Sequence, residues 1–399
     1  MRHDAVVSSS SLPLVPVTRR AVDRINQGHV WIYRSDLGEV PPGADRGAIV
    51  GVVDPRGAFL GQALYSTESQ IALRLLTRRD DPIDAAFWRR RLSAAIATRD
   101  RLRLEGTARR LVHAEADLLP SLVVDQYDDV LVVQTLSQGT DRRREEIVQA
   151  LVELTQPRGV LLRNDPKVRL LEGLGREVAV AYGDVPERVV IREGGIERDV
   201  DLRGGQKTGA FLDQQENHAA AAAYARGRAL DAFTYEGGFA LPMAAACDRV
   251  TAIDASEAAI ERLNAHAARN GIGNVDAQVG NAFDVLREYD RADERFDTIV
   301  LDPPAFAKQR KAVPKALAGY KEINLRALKL LNPGGHLVTC TCSAHVDEGM
   351  FGGVVLSAAL DAGVPVAVVE KRMQSRDHPV LLGVPETYYL KCFILRRVG

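Results

Sequence analysis

The stretch Leu230-Asp231-Ala232-Phe233-Thr234-Tyr235-Glu236-Gly237-Gly238-Phe239 decides the fold. An apolar run meets an acid, breaks at a glycine pair and continues as a helix-forming segment. That is the pattern of a buried parallel strand turning at its carboxyl edge toward a small ligand. Outward from it, apolar runs at 229–233, 250–254, 275–279, 298–301, 337–342, 364–370 and 388–395 predict strands. Helical periodicity at 257–270, 320–331 and 351–362 separates most of them. Repeated strand–helix units predict a mostly parallel α/β sheet covered on both faces. The last two runs are joined by a Pro-rich polar loop without helical period, so the last strand is expected antiparallel.

Asp254 closes the next strand, where a carboxylate can accept hydrogen bonds from both ribose hydroxyls. That fits either a dinucleotide or S-adenosylmethionine. The absence of GxGxxG disfavours a pyrophosphate, and Asp231 suits a cationic amino acid better than a phosphate. Gly280-Asn281-Ala282-Phe283 ends the third strand, with Asn281 placed to bond an adenine edge. A lone Gly-Gly is ordinarily only a turn. Glycine, Asp254 and Asn281 at three successive strand ends favour a ligand site, with glycine admitting the ligand close to the backbone.

The fourth strand runs into Leu301-Asp302-Pro303-Pro304-Ala305-Phe306. An acid and two prolines make a rigid turn at the ligand edge, an arrangement suited to gripping a base held out of its stack. The fifth ends Thr339-Cys340-Thr341-Cys342-Ser343. Most strand cysteines are small buried hydrophobes, and Cys247, Cys340 and Cys392 are read that way. Cys342 stands at the strand end, where a thiol of lowered pKa acts as a nucleophile. Between the fourth strand and the next helix, Lys308, Arg310, Lys311, Lys315 and Lys321 fall within fourteen residues containing no acid. That cluster suits phosphate contact, with Tyr320 as a stacking ring; a solvated loop is the plain alternative.

Hydrophobic residues at 46% and charged residues at 26% exclude a disordered, collagen-like or membrane-embedded chain. No apolar run reaches the ~20 residues of a membrane span. The Ser-rich start reads as a loose tail, not a signal peptide. Four cysteines without CxxC spacing point to a reduced, cytoplasmic setting and to no metal. Residues 1–113 carry 18 Arg and no Lys against 12 acids, a basic front end that permits a nucleic-acid partner. Short apolar runs over residues 13–80, broken at Asp54-Pro55-Arg56-Gly57, predict a small all-β barrel-like module. A helix at 84–105, a hairpin at 122–136 turning on Asp128-Asp129, a helix at 141–154 and a strand at 160–163 predict an α+β unit. A Gly194-Gly195 hairpin leads into the last unit.

With these residues in place, the chain resembles the RlmI-like family of bacterial 23S ribosomal RNA 5-methylcytosine methyltransferases. The likeness covers nearly the whole chain. It includes Gly28-His29-Val30-Trp31-Ile32-Tyr33, the block HAEADLLPSLVVD at 113–125, Gly205-Gln206-Lys207-Thr208-Gly209, the 231–239 loop, Leu301 to Phe306, Gly319-Tyr320-Lys321-Glu322-Ile323-Asn324, Thr341-Cys342-Ser343 and Asp377-His378-Pro379. The linked set is specific; no single piece is.

The resemblance implies a PUA-like RNA-binding domain at 1–80, a central α+β domain at 81–188 and a Rossmann-like class I methyltransferase domain at 189–399. It implies S-adenosylmethionine held by Gln206, Lys207, Asp231, Phe233, Tyr235, Gly237, Asp254, Asn281, Ala282 and Asp302. Cys342 becomes the nucleophile, Asp302 its catalytic partner, and Pro303, Pro304, Lys308, Arg310, Lys311, Tyr320 and Lys321 the contacts to large-subunit ribosomal RNA. A homodimer is compatible with it. The chain departs from the family in having Ala305 where a basic residue is frequent, and Gln215 and His218 where arginines are frequent. Two other readings stand beside this one: an amino-group methyltransferase on a purine, and a non-catalytic RNA-binding assembly factor.

Overall fold

A computed structural model describes residues 12–307 and 309–399; the Ser-rich start and Lys308 lie outside the described residues. The chain divides into two compact units. One takes the chain up to Val190 with Val200–Ala210 and Asp377–Thr387; the other takes Ile191–Asp199, Phe211–Arg376 and Tyr388–Gly399.

The first unit holds two five-stranded sheets. The front sheet contains Leu14–Pro16, Trp31–Tyr33, Ile49–Val53, Phe59–Tyr65 and Ile71–Thr77. Its predicted turn is present: Gly57 has φ +84°, and the Asp54 carboxylate accepts from the amides of Arg56 and Ala58 at 2.8 Å each. The module is not all-β, however. An eight-residue helix, Arg19–Asn26, is capped by Thr18 and buries Ala21 and Ile25. So few inward apolar positions leave too little periodicity to read against five polar residues.

Ala108–His113, Leu122–Tyr127, Val130–Thr135, Gly159–Asn164 and Glu177–Gly183 form the second sheet. The last was not expected; it is an edge strand with a largely exposed surface. Leu64 and Leu76 from the front sheet pack into one core with Trp88, Leu111 and Leu131. Trp31 donates its indole N–H to Glu115 at 3.0 Å, and Arg74 pairs with Glu172 at 2.7 Å with both side chains buried.

The second unit is built on seven strands: β1 (Gly227–Ala232), β2 (Cys247–Asp254), β3 (Val275–Val279), β4 (Phe296–Leu301), β5 (Leu331–Thr341), β6 (Val366–Met373) and β7 (Lys391–Arg397). Their order is β3-β2-β1-β4-β5-β7-β6. β7 runs antiparallel to both β5 and β6, as expected. It begins at Lys391 because Pro385–Thr387 forms a tight helical turn just before it.

The main helices are α1 (Gln215–Tyr224), α2 (Glu257–Arg269), α3 (Ala282–Arg291), α4 (Val313–Leu330) and α5 (Glu348–Ala362). Alternate strand residues serve opposite faces. Leu230, Ile299 and Leu301 pack with Tyr320 of α4 and Phe351 of α5. Ala229, Val250, Val300 and Val338 pack with Ala221 of α1 and Leu263 of α2. Both faces are dry, which is why these strands read as continuous apolar runs. Strand order reverses between β1 and β4, so their carboxyl ends splay apart and open the crevice where such sheets bind ligands.

Candidate active site

Three acids gather at that crevice. Asp231 is wholly buried in β1; its Oδ2 accepts from the Thr234 hydroxyl at 2.6 Å, while Oδ1 has no hydrogen-bond partner. Burial drives its carboxyl up to about 7; the charges of Asp302 and Asp254 add to this, and the Thr234 bond and the Ala240 amide oppose it. Asp254, at the end of β2, accepts from the Tyr235 amide through Oδ2 and from the Ser256 amide through Oδ1, both at 2.9 Å. A carboxylate has about four acceptor sites, so lone pairs remain for ribose hydroxyls. Asp302 follows Leu301, whose register partner on β5 is Thr339.

The loop between β1 and α1's neighbouring helical turn at Ala240–Met243 is held in an unusual conformation. Phe233 and Tyr235 have φ of +73° and +51°, a region that costs non-glycine residues energy. The amides of Phe233 and Thr234 both donate to the Ile253 carbonyl, and Asp254 anchors that of Tyr235. The rings of Phe233 and Tyr235 meet Phe283 and Phe211 edge-on at 6.2 and 5.3 Å.

The glycines have reasons of their own beyond ligand approach. Gly237 has φ +84°. A Cβ on Gly238 would lie 2.7 Å from the His218 ring. Asn281 is exposed and caps α3 by accepting from the Phe283 amide at 2.9 Å; Ala282 behind it is buried. Gln206 and Lys207 belong to the first unit, on an exposed tight turn with Lys207 at φ +54°.

Cys342 lies one residue beyond β5 and is partly exposed; Cys247, Cys340 and Cys392 are buried, as expected. The hydrogen-bonded Cys392 thiol beside it, together with burial, holds the Cys340 thiol well above its ordinary value. The neighbours of Cys342 are fixed by hydroxyls. Thr341 Oγ1 donates to the Tyr320 phenol oxygen at 2.8 Å, and that phenol bonds Ser343 Oγ at 2.9 Å. Ser343 Oγ accepts from the Ala307 amide at 3.2 Å, tying the Pro303-Pro304 loop to the end of β5.

Tyr320 corrects an expectation. It was read as a ring for stacking on RNA, but it is fully buried between Phe306 and Phe351 at 4.6 and 5.6 Å and offers no free face. It sits mid-helix on the inward side of α4, a position that a cluster of neighbouring lysines disguises in the sequence. Pro303 is buried and Pro304 exposed; Arg310, Lys311 and Lys315 are exposed, and Lys321 pairs with Asp361 at 2.7 Å.

Sequence reasoning also missed a buried trio. His218 pairs with Glu193 at 2.5 Å, and Glu193 pairs with Arg198 at 2.5 Å. Burial would raise the Glu193 carboxyl, but the Arg198 guanidinium and the hydrogen bonds from Arg198 and His218 outweigh it and hold it low. His218, standing where arginine is frequent, is therefore an interior packing residue. Thr234 and Ser343 carried no signal beyond being small polar residues at strand ends.

A seven-stranded sheet with one reversed strand, acids at the ends of β1, β2 and β4, and a PUA-like module define the class I methyltransferase fold joined to a PUA-like domain. A PUA-like domain family matches residues 15–78 and a methyltransferase domain family residues 225–373. Two solved structures superpose over 96% of this chain and 100% of their own. One is a methyltransferase complexed with SAH, with a TM-score of 0.83 at 21% identity; the other is a SAM-dependent methyltransferase from Streptococcus mutans, with a TM-score of 0.82 at 20% identity. Over 379 residues, 93% of this chain and 96% of its relative, the sequence is 41% identical to the ribosomal RNA large subunit methyltransferase I of Tolumonas auensis. The chain belongs to the ribosomal RNA large subunit methyltransferase I family.

Proposed function

We propose that this protein methylates carbon 5 of a cytosine in large-subunit ribosomal RNA, using S-adenosylmethionine and a covalent bond from Cys342. The position of Cys342 carries the reading. It is partly exposed at the ligand edge of the sheet, while the other three cysteines are buried.

The residues present fit the cofactor. The unpartnered Oδ1 of Asp231, a carboxyl whose burial is aggravated by the charges of Asp302 and Asp254, suits the amino group of the methionine moiety. Asp254 suits the ribose, and Asn281 with Phe283 the adenine. Bound S-adenosylmethionine supplies an electrophilic methyl group on a sulfonium. Carbon 5 of cytosine is too weak a nucleophile to accept it unaided. Addition of the Cys342 thiolate to carbon 6 pushes the ring electron pair to carbon 5 and makes it nucleophilic. Asp302, as the carboxylic acid, donates its O–H to N3 and accepts from the amino group through its other oxygen, so that the negative charge developing on N3 is stabilised. After methylation, loss of the carbon 5 proton and departure of the thiolate restore the aromatic ring.

In this reading residues 1–80 contact RNA, residues 81–188 link, and residues 189–399 carry the chemistry. Arg310 and Lys311 meet phosphates beside the flipped base. The test is transfer of labelled methyl from S-adenosylmethionine to unmodified large-subunit ribosomal RNA, followed by mass spectrometry of the digested nucleosides. Labelled 5-methylcytidine is expected. Label in a purine nucleoside would overturn the cytosine assignment and return Cys342 to a packing role.

A further inference from the structure

The run Gly319-Tyr320-Lys321-Glu322-Ile323-Asn324 converges on one point, the end of β5. Tyr320 is wholly buried on α4, and its phenol oxygen accepts from Thr341 Oγ1 at 2.8 Å. A phenol has a single proton, which leaves its other bond, to Ser343 Oγ at 2.9 Å, as the one it donates. The Ser343 amide donates back to Thr341 Oγ1 at 3.2 Å and closes a ring of three hydroxyls and one amide. Gly319 and Asn324 support the same contact. A Cβ on Gly319 would stand 3.3 Å from the Phe306 ring, so the glycine lets α4 come down on the loop after Asp302. Asn324, also wholly buried, donates to the Tyr320 carbonyl at 2.8 Å.

This ring brackets Cys342. The register of β5 with β7 ends at the pair Thr341 and Lys391, so Cys342 and Ser343 lie past the last rung of the ladder. Thr341 and Ser343 both turn their hydroxyls to Tyr320, on the α4 side of the sheet. Residues two apart that turn to one atom leave the residue between them facing the other way. Cys342 therefore projects away from α4, on the side of Cys340, which packs in the cluster of Ala221 of α1. Cys340 is buried there, whereas Cys342 is partly exposed. Ser343 Oγ also accepts from the Ala307 amide at 3.2 Å, and Phe306 lies on the Tyr320 ring at 4.6 Å. Both residues belong to the loop that begins Asp302-Pro303-Pro304. Burial holds the phenol above its ordinary pKa, the bonds to Ser343 and Thr341 offsetting only part of the rise, so it stays a donor. One phenol thus sets the side on which Cys342 emerges and the seat of the loop behind Asp302.

We propose that Tyr320 is a positioning residue of the reaction, its hydroxyl holding Thr341 and Ser343 so that the Cys342 thiol is presented to carbon 6 of the base gripped beside Asp302. Alignment of this kind matters because a misplacement of ~1 Å between reacting groups costs about a hundred-fold in rate. It also accounts for a hydroxyl kept in the dry interior between Phe306 and Phe351, where a phenylalanine would pack without any polar group to satisfy. The proposal rests on the reading of Cys342 as nucleophile, and the two are separable by experiment.

Tyr320→Phe keeps the ring in its packing and removes only the hydroxyl. At saturating RNA and S-adenosylmethionine, kcat for methyl transfer by the full-length variant should fall roughly ten- to a hundred-fold. The calorimetric Kd for the cofactor and the KM for RNA should change by no more than about three-fold. Thr341→Val should reproduce the loss in kcat, and Thr341→Ser, which keeps the hydroxyl, should retain at least about half of the wild-type value. A residue needed only for folding would not give that split, since it lowers the amount of cofactor-binding protein and not the turnover of each site. A Tyr320→Phe protein that binds cofactor and turns over at the wild-type rate overturns the proposal. So does a loss confined to KM. Equal activity of Thr341→Val and Thr341→Ser overturns it too, even if Tyr320→Phe fails to fold. Covalent capture of RNA containing 5-fluorocytosine, with S-adenosylmethionine present, reports on the nucleophile. Capture by Cys342→Ala would end that reading and this proposal with it. No capture by Cys342→Ala beside full-rate capture by Tyr320→Phe would end only the role of Tyr320.

Discussion

Gly238 lies against His218 so closely that a Cβ on the glycine would come within 2.7 Å of the imidazole Nε2. The ring cannot easily retreat, since its Nδ1 is tied to Glu193 and its face meets Phe239 at 4.5 Å. Gly238→Ala should therefore overpack the cofactor loop and destabilise the protein by about 1–3 kcal/mol. Urea unfolding measures this; an unchanged midpoint would mean that the loop yields freely.

Asp231 links cofactor binding to pH. Its carboxyl stands at about 7 in the free protein, so a cation must displace a proton below that value. Affinity for S-adenosylmethionine should rise with pH through about 7, with proton release visible by calorimetry in buffers of different ionisation enthalpy. A carboxyl raised above its unfolded value weakens the fold as pH climbs from the unfolded pKa to the folded one, and the penalty is complete above about 7. Asp231→Asn should consequently lose cofactor affinity yet gain stability at pH 8, by at most roughly 4 kcal/mol. Equal melting temperatures for the two proteins at pH 8 would contradict the buried, strained acid.

Cys342→Ala should stop methyl transfer, on the order of a thousand-fold or more, while cofactor affinity changes no more than about three-fold. The contrast depends on Cys342 lying beyond β5, outside the apolar clusters on both faces. Full activity in a folded variant would remove the covalent step.

Deleting residues 1–80 is a poor test of RNA binding, because Leu64 and Leu76 belong to the core shared with the second sheet. Arg78 and Arg79 are exposed at the end of a front-sheet strand and line a cleft of about 400 Å³ with Arg91. Changing both Arg78 and Arg79 to Ser should reduce the salt dependence of RNA affinity by a slope of about 1.5 and leave cofactor affinity alone. An unaltered slope would place the phosphate contacts elsewhere.

Glu172→Ala would leave Arg74 buried without its anion. The expected loss is about 3–5 kcal/mol in thermal unfolding. A loss below about 1 kcal/mol would show that water reaches the pair.

Much of the architecture was legible because its signals are local. Continuous apolar runs mark strands dry on both faces, and the polar loop before the last strand foretold its reversal. The same locality explains the failures. Arg19–Asn26 shows only two buried side chains, too few for a period. Tyr320 stands among lysines in sequence but faces inward on α4. Glu193 and His218 are 25 residues apart, and nothing in either neighbourhood names the other.

The sequence alone therefore determined the class of fold and the strand ends on which Asp231, Asp254, Asp302 and Cys342 stand, since period and turn residues act within a few positions of one another. Tertiary structure decided which groups meet there. The antiparallel register, not the spacing, sets Lys391 opposite Thr341. A one-residue slip would turn that lysine to the other face. Helix rotation likewise buries Tyr320 and delivers its hydroxyl to Thr341 and Ser343. Such pairings arise from packing over long separations, where desolvation and hydrogen bonding choose the partner.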